Sequence, residues 1–192
     1  MKEFDFFNFP EMETERLLLR RLTDQDALQI HKLRSDPTIN AFVGRTSPQG
    51  IDDALAYIYK IGRLIENNEC VYWGISLKSS PILIGTICYW NFNIEEEIAE
   101  IGYELLPEYQ GIGIMMEVLK KVIDFGFEKM NISVITAFPS LDNTSSVKLL
   151  KKNEFEPDNL FYKNSHQDVA NILTFTLRKE KYNKDIQSGL IT

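Results

Sequence analysis

The stretch Glu104-Leu-Leu-Pro-Glu-Tyr-Gln-Gly-Ile-Gly-Ile-Met-Met-Glu117 constrains this chain more than any other. An apolar strand ends near Leu105, a tight turn holds Gly111 and Gly113, and an amphipathic helix follows. Met115, Met116, Leu119, Val122, Ile123 and Phe127 fall on one face of that helix, with Glu117, Lys120, Lys121, Asp124 and Glu128 on the other. The first N–H groups of a helix have no internal partner and lie at the positive end of its dipole. Glycines just before them let a phosphate approach those donors closely. The same two glycines are equally consistent with a plain strand-to-helix turn. A P-loop would need Gly-x-x-x-x-Gly-Lys-Ser/Thr, and a dinucleotide fingerprint a third spaced glycine and a later acid. Neither is present, which leaves a coenzyme A-type pyrophosphate as a candidate.

The rest of the chain surrounds that unit with alternating elements. Arg16 to Leu22 reads as a strand, and Asp24 and Asp26 open a helix that ends before Pro37. Ile51, Ala54, Leu55, Ile58, Ile61 and Ile65 recur at helical spacing between about Gln49 and Asn67. Strands are expected at 71–77, 82–92 and 98–105, with turn signals at Ser79-Ser80-Pro81 and Asn91 to Glu97. After the amphipathic helix come a strand over Ile132 to Thr136 and a short helix capped by Asp142 or Asn143. A closing strand pair is expected over 155–162 and 169–177. This order predicts an α/β (α+β) fold, a mixed central sheet with helices on both faces. One domain is expected over residues 1–180, with an aromatic-rich start (Phe4, Phe6, Phe7, Phe9) able to pack as a flap and a polar tail at 181–192.

Charge and composition exclude some functions. A net charge of −7 over 192 residues argues against a nucleic-acid backbone binder. Cys70 and Cys88 each sit in an apolar stretch and read as buried thiols, not a disulfide scaffold. Two lone histidines, His31 and His166, make no metal cluster, so no metal is expected. The start carries no secretory signal and no apolar run approaches a membrane span, so a cytoplasmic protein without membrane partners is expected.

Several blocks together resemble the GNAT superfamily of N-acetyltransferases. Gln110 to Met115 is similar to its Gln/Arg-x-x-Gly-x-Gly/Ala signature: Gln110 and Gly113 match, and Met115 departs from the usual small residue. Thr14-Glu15-Arg16-Leu17-Leu18-Leu19-Arg20, Asp36-Pro37, Ala99-Glu100-Ile101-Gly102-Tyr103 and Asn143-x-x-Ser146 resemble the subgroup that acetylates ribosomal-protein N-termini. Glu154-Phe155 stands where that subgroup has Gly-Phe. The resemblance covers roughly residues 12 to 179. It implies a mostly antiparallel sheet in which two parallel strands splay to form a cleft for acetyl-CoA.

On that resemblance, Leu105 lends backbone groups to the pantetheine arm, and backbone N–H groups across Gly111, Ile112, Gly113, Ile114, Met115 and Met116 bind the pyrophosphate. Asn143 contacts the pantetheine arm and Ser146 lies near the sulfur, although both also fit a helix cap. Glu100 is the candidate base, since it matches an acidic position and lies on the strand entering the turn. By alternation Glu100, Gly102 and Glu104 share one strand face, opposite Ile101, Tyr103 and Leu105. A tyrosine acid (Tyr103, Tyr109 or Tyr162) is an alternative that spacing does not resolve. The run Glu95-Glu96-Glu97 reads as a solvated turn or as an attraction for cations. His31 and the methionine pair Met115-Met116 read as packing residues.

The expected reaction is acetyl transfer to a primary amine, either a protein N-terminal α-amine or a small molecule such as a polyamine, amino acid or amine antibiotic. A non-catalytic acyl-CoA-binding regulator is the alternative from another class. Homodimers are common in the family, but nothing in this sequence marks an interface.

Overall fold

The computed structural model describes residues 6, 8–160, 162, 164 and 171–187. The elements are β1 (Met12–Glu13), β2 (Leu17–Arg20), α1 (Ala27–Ser35), α2 (Pro37–Asn40), α3 (Ile51–Glu66), β3 (Val71–Leu77), β4 (Ser80–Asn93), β5 (Ile98–Leu105), α4 (Ile114–Glu128), β6 (Val134–Ala137), α5 (Thr144–Lys152), β7 (Glu156–Pro157), β8 (Phe175–Arg178) and α6 (Lys179–Gln187). They form one sheet in the order β1-β2-β3-β4-β5-β6-β8-β7. Every neighbouring pair is antiparallel except β5 and β6. The expected mixed, mostly antiparallel sheet with helices on it is what the chain forms.

Alternation along the central strands sends neighbouring residues to opposite layers. Trp73 meets Phe125 of α4 edge-on at 5.4 Å, whereas Tyr72 meets Tyr57 of α3 edge-on at 6.2 Å. Hence α4 covers one face of the sheet and α3, with α1 beside it, covers the other. The α4 layer is anchored by the fully buried Phe127 and by Tyr89, whose hydroxyl donates to the Val122 carbonyl at 3.0 Å. The apolar residues Ala54, Ile58, Ile61 and Ile65 that defined α3 in the sequence are all buried.

Three segments differ from expectation. Asp36 turns Pro37–Asn40 into a short helix, its carboxylate accepting from the N–H groups of Thr38 (2.8 Å) and Ile39 (3.1 Å). Among the described residues the closing strands are short, Glu156 pairing with Thr176 and Pro157 with Phe175, because Pro157 has no N–H to continue a ladder; residues 161, 163 and 165–170 of the expected pair and its turn lie outside the described residues. The polar segment expected to form a tail from 181 is helical as far as Gln187. Tyr182 anchors it, packing on Phe127 at 5.1 Å and donating to Asp124 at 2.5 Å. Phe4 and Phe7 of the expected flap, His166 and the tail residues 188–192 lie outside the described residues. Within the flap, Phe6 is buried and Phe9 packs against Trp73 at 6.2 Å. Among the described residues no helix is long and apolar enough to cross a membrane.

Candidate active site

The site begins where β5 and β6 part. Their parallel register runs Ile98 with Val134, Ala99 with Ile135 and Glu100 with Thr136, and stops there. Beyond it β5 continues to Leu105 on β4 alone, while β6 ends at Ala137 and the chain turns away to α5. The Leu106 N–H donates to Ile84 O at 2.9 Å, so even-numbered residues of β5 make its bonds to β4. The backbone groups of Ile101, Tyr103 and Leu105 therefore face the opening left by β6. The Leu105 carbonyl is taken by Gln110 Nε2 at 2.8 Å, which braces the turn against the strand and leaves the Leu105 N–H directed at the cleft.

That turn is built from backbone. Gly111 and Gly113 hold φ values of +76° and +82°, left-handed conformations that suit glycine. Gly113 is the N-cap of α4 and brings no side-chain cap, so the first N–H groups of the helix find no cap there. A Cβ at Gly111 would meet nothing within 4 Å, and one at Gly113 only Arg16 Nη2 at 3.6 Å. Conformation, not crowding, requires the glycines, and the surface outside them is open. Gly111, Ile112 and Gly113 are exposed, whereas Ile114 and Met115 turn their side chains into the core. Met115, the departure from the family signature, thus leaves the outer side of the turn clear. Gln110 spends its own N–H on Pro107 O. Met116 is half-buried and its sulfur lies 3.1 Å from Asn153 Nδ2.

A bracket absent from the sequence reading holds this turn. Glu117, in the first turn of α4, accepts from the Thr14 hydroxyl, from the Arg16 N–H at 3.0 Å and from Arg16 Nε at 2.7 Å. Arg16 also reaches Ile112 O at 3.3 Å. Burial pushes the Glu117 carboxyl up, but the bonds from Thr14 and Arg16 outweigh it and hold the carboxyl below its ordinary range. The cue was available: an acid in the first turn of a helix and a Thr-x-Arg unit far upstream. Nothing in the spacing said that they meet.

On the α3 side of β5 lies a cavity of about 520 Å³. Glu100 lines it at 3% exposure, with Asn91 Nδ2 donating to its Oε2 at 2.7 Å. Glu104, on the same face, is ion-paired with Arg45 from the loop before α3. Its Oε2 is covered by protein and takes no hydrogen bond. Arg45 also donates to Asn40 Oδ1 at 2.8 Å and to Leu33 O at 3.3 Å. Both free cysteines sit in this wall; burial pushes Cys70 up to about 12 and Cys88 well above its ordinary value, so both stay thiols at neutral pH.

Across the cleft, α5 contributes a second set of groups. Asn143 caps α5, its Oδ1 accepting from the Ser146 N–H at 3.0 Å, which leaves its amide N–H₂ pointing elsewhere. Ser146 Oγ lies 2.8 Å from the Tyr103 hydroxyl. Burial pushes Tyr103 up to about 12, against the opposing effect of that bond, so the phenol keeps its proton at neutral pH. Tyr103, Ser146, Asn143 and Glu100 all line the one cavity, which therefore passes through the opening between β5 and β6. Of the other tyrosines considered, Tyr109 lies in the turn before Gln110 and Tyr162 binds Asp158 and Arg178, both outside the cavity lining. Glu95 to Glu97 form the turn ahead of β5, at its far end from the glycines. His31, on α1, lies 3.5 Å from Ser35 Oγ and outside the cavity wall.

Comparison with known proteins gives a consistent picture. Residues 16–156 match the family model described as an acetyltransferase (GNAT) domain. The uncharacterized N-acetyltransferase YoaA of Bacillus subtilis is 34% identical over 160 residues, covering 83% of this chain and 90% of that protein. Among solved structures, the ribosomal-protein-S5-alanine acetyltransferase of Vibrio fischeri superposes with a TM-score of 0.76 at 22% identity, covering 90% of this chain and 98% of that one. The spermidine N-acetyltransferase of Vibrio cholerae, solved with CoA and spermine, superposes with a TM-score of 0.74 at 21% identity, covering 88% and 99%. With its parted parallel strands, its glycine turn and a family match over most of its length, this chain belongs to the GNAT acetyltransferases and is an N-acetyltransferase.

Proposed function

We propose that this enzyme acetylates a primary amine, a protein N-terminal α-amine in preference to a small molecule, in a ternary complex with acetyl-CoA. The observation that carries this reading is the position of Glu100: a buried carboxylate at the last pair before β5 and β6 part, in the wall of a cavity that continues to Ser146. The residues present suit the cosubstrate. Left-handed glycines open the N-terminus of α4 to a pyrophosphate, and the N–H groups of Ile114, Met115 and Met116, with those of the turn from Gly111 to Gly113, would hold it. The Leu105 N–H faces the opening, and the free amide hydrogens of Asn143 suit the carbonyls of a pantetheine arm. Gln110 serves the same site by bracing Leu105. Bound there, acetyl-CoA supplies the electrophilic thioester.

Glu100 then takes a proton from the attacking amine, directly or through a water held by Asn91. Amines are mostly protonated at neutral pH, and a positioned base typically contributes about a hundred- to ten-thousand-fold. Backbone N–H groups of β5 that face the opening stabilise negative charge as it develops on the carbonyl oxygen. Ser146 donates to the departing sulfur, while Tyr103 donates to Ser146 and so fixes the direction of the serine proton. The N-terminal acceptor is favoured by the subgroup blocks Thr14 to Arg20, Ala99 to Tyr103 and Asn143 to Ser146. The test is thiol release from acetyl-CoA with peptides bearing free amino termini, matched N-blocked peptides and polyamines. Acetylation confined to free amino termini is the expected result. Turnover of polyamines alone would replace the acceptor while leaving the site intact.

A further inference from the structure

Charge is distributed unevenly along the cavity, and among the described residues two of its cations, Arg34 and Lys60, pair with no carboxylate. Glu100 stands at the end where the strands part. Glu104 lies four residues further along the same face of β5, about 13 Å away at the usual rise of a strand. At that far end the Glu104 charge is met by Arg45, whose other two nitrogens donate to Asn40 Oδ1 and Leu33 O. Arg34, beside Leu33 on α1, lines the same end. The central carbon of its guanidinium lies over the Tyr57 ring, 3.7 Å from the centroid, and among the described residues it gives no hydrogen bond to a carboxylate or carbonyl. The hydroxyls beneath it bond to one another, Tyr57 to Tyr72 at 3.2 Å and Tyr72 to Thr86 at 3.0 Å, so they make no demand on it. Lys60, exposed on α3, adds charge of the same sign to the cavity wall.

A guanidinium stacked on an aromatic ring keeps its in-plane donors free, and their fork matches a carboxylate. We propose that Arg34 is the specificity residue for a carboxylate on the acceptor, so that the preferred substrates carry an amine at one end and an acid further along the chain. This rests on acetyl transfer to an N-terminal amine beside Glu100. An extended N-terminus with an acidic side chain at its third residue carries that acid about 7 Å of backbone beyond the amine, away from Glu100 and along the cavity. Polyamines are cationic along their whole length and place like charge against Arg34 and Lys60. Glu104 is already paired with Arg45, so the carboxylates left to them in the wall are Glu100, which meets the amine, and the exposed Glu69.

The experiment uses the full chain, acetyl-CoA and three peptide amides, Ser-Ala-Glu, Ser-Ala-Gln and Ser-Ala-Lys, with spermidine alongside. The expected order of kcat/KM is Glu over Gln over Lys, with about tenfold between the extremes or more, as a charge-assisted hydrogen bond supplies. Arg34→Gln is expected to flatten that order, and Arg34→Glu to invert it, with melting curves confirming that both variants fold. The wild-type order needs no variant. Turnover of the Gln peptide with no preference between Glu and Lys overturns the Arg34 assignment and leaves the N-terminal reading standing. Spermidine used faster than the acidic peptide overturns it as well. No turnover of any peptide overturns the N-terminal reading and this inference with it.

Discussion

The two sides of the cleft are made of different material. On the α4 side the groups on offer are backbone: the N–H groups from Gly111 to Met116 and the Leu105 N–H, with side chains either exposed, as Ile112 is, or turned inward, as Ile114 and Met115 are. On the α3 side the groups are side chains gathered from α1, the loop before α3, β3, β4 and β5, and almost all are held by other side chains. A backbone site tolerates most changes of residue type but not a change of φ. A side-chain site tolerates backbone of ordinary geometry but not loss of a single carboxylate. With the cosubstrate and acceptor placed as proposed, binding of one and recognition of the other can diverge independently on one sheet.

The largest effect that would break this contrast lies on the side-chain side. Glu100→Gln keeps the volume and the bond from Asn91 but removes the proposed base. It is expected to lower kcat by roughly a hundred- to ten-thousand-fold while leaving acetyl-CoA affinity within about twofold in a calorimetric titration. Equal loss of coenzyme affinity would mean that the two sides are one site.

Gly113→Glu probes the other side. A side chain at φ +82° is strained, and a carboxylate at the helix N-terminus repels phosphate, so affinity for acetyl-CoA is expected to fall about a hundredfold. Ile112→Ala, between the two glycines and 59% exposed, is the control and is expected to bind normally in the same titration. Unchanged binding by Gly113→Glu would remove the cradle from the site.

Tyr103→Phe addresses the strand between the two sides. With Ser146 no longer held, kcat is expected to drop about tenfold, in proportion to one well-placed donor, with KM for acetyl-CoA unchanged. Tyr103 also sets a pH limit. Its protonated form is favoured in the fold, since burial raises it from an ordinary 10.0 to about 12. Its contribution to stability is accordingly complete below pH 10 and lost as pH rises from 10 towards 12. The phenol is neutral throughout the physiological range, so no alkaline fall in kcat below pH 9 should be traceable to it. A fall there that disappears in Tyr103→Phe would show that the tyrosine ionises in the working enzyme.

The same division between backbone and side chains decides what could be read from the sequence. The cradle is contiguous, so Gly111 and Gly113 stand out by order and spacing, Leu105 and Gln110 only by resemblance, and the amphipathic stripe of α4 fixes which side of the turn is buried. The parting of β5 and β6 is legible only by resemblance, because a register that stops at Thr136 leaves no trace in composition. Alternation puts Glu100 and Glu104 on one face, yet it gives no sign that Arg45, fifty-nine residues before Glu104, neutralises the second of them. Tyr103 was one of three tyrosines until the fold set it beside Ser146. The bracket of Thr14, Arg16 and Glu117 joins elements about a hundred residues apart, and helical periodicity alone had placed Glu117 in solvent.

The smallest effect concerns a family departure on the α5 side, and it separates stability from chemistry. Glu154, which stands where the resembled subgroup pattern has glycine, follows the C-cap Asn153 with φ +62°. A residue with a Cβ costs about 1 kcal/mol there, while glycine adopts the conformation freely. Part of that gain is offset because glycine leaves the unfolded chain more entropy to lose. The Glu154 carbonyl, which accepts from Lys181 Nζ at 3.4 Å, is backbone and survives the change. Glu154→Gly is therefore expected to raise stability by about 0.5–1 kcal/mol, a Tm increase of a few degrees by calorimetry, with kcat and KM unaltered. A rise in Tm accompanied by lower kcat would mean that the end of α5 moves during turnover, and that the strain at Glu154 is kept because Ser146, at the other end of the same helix, needs that freedom.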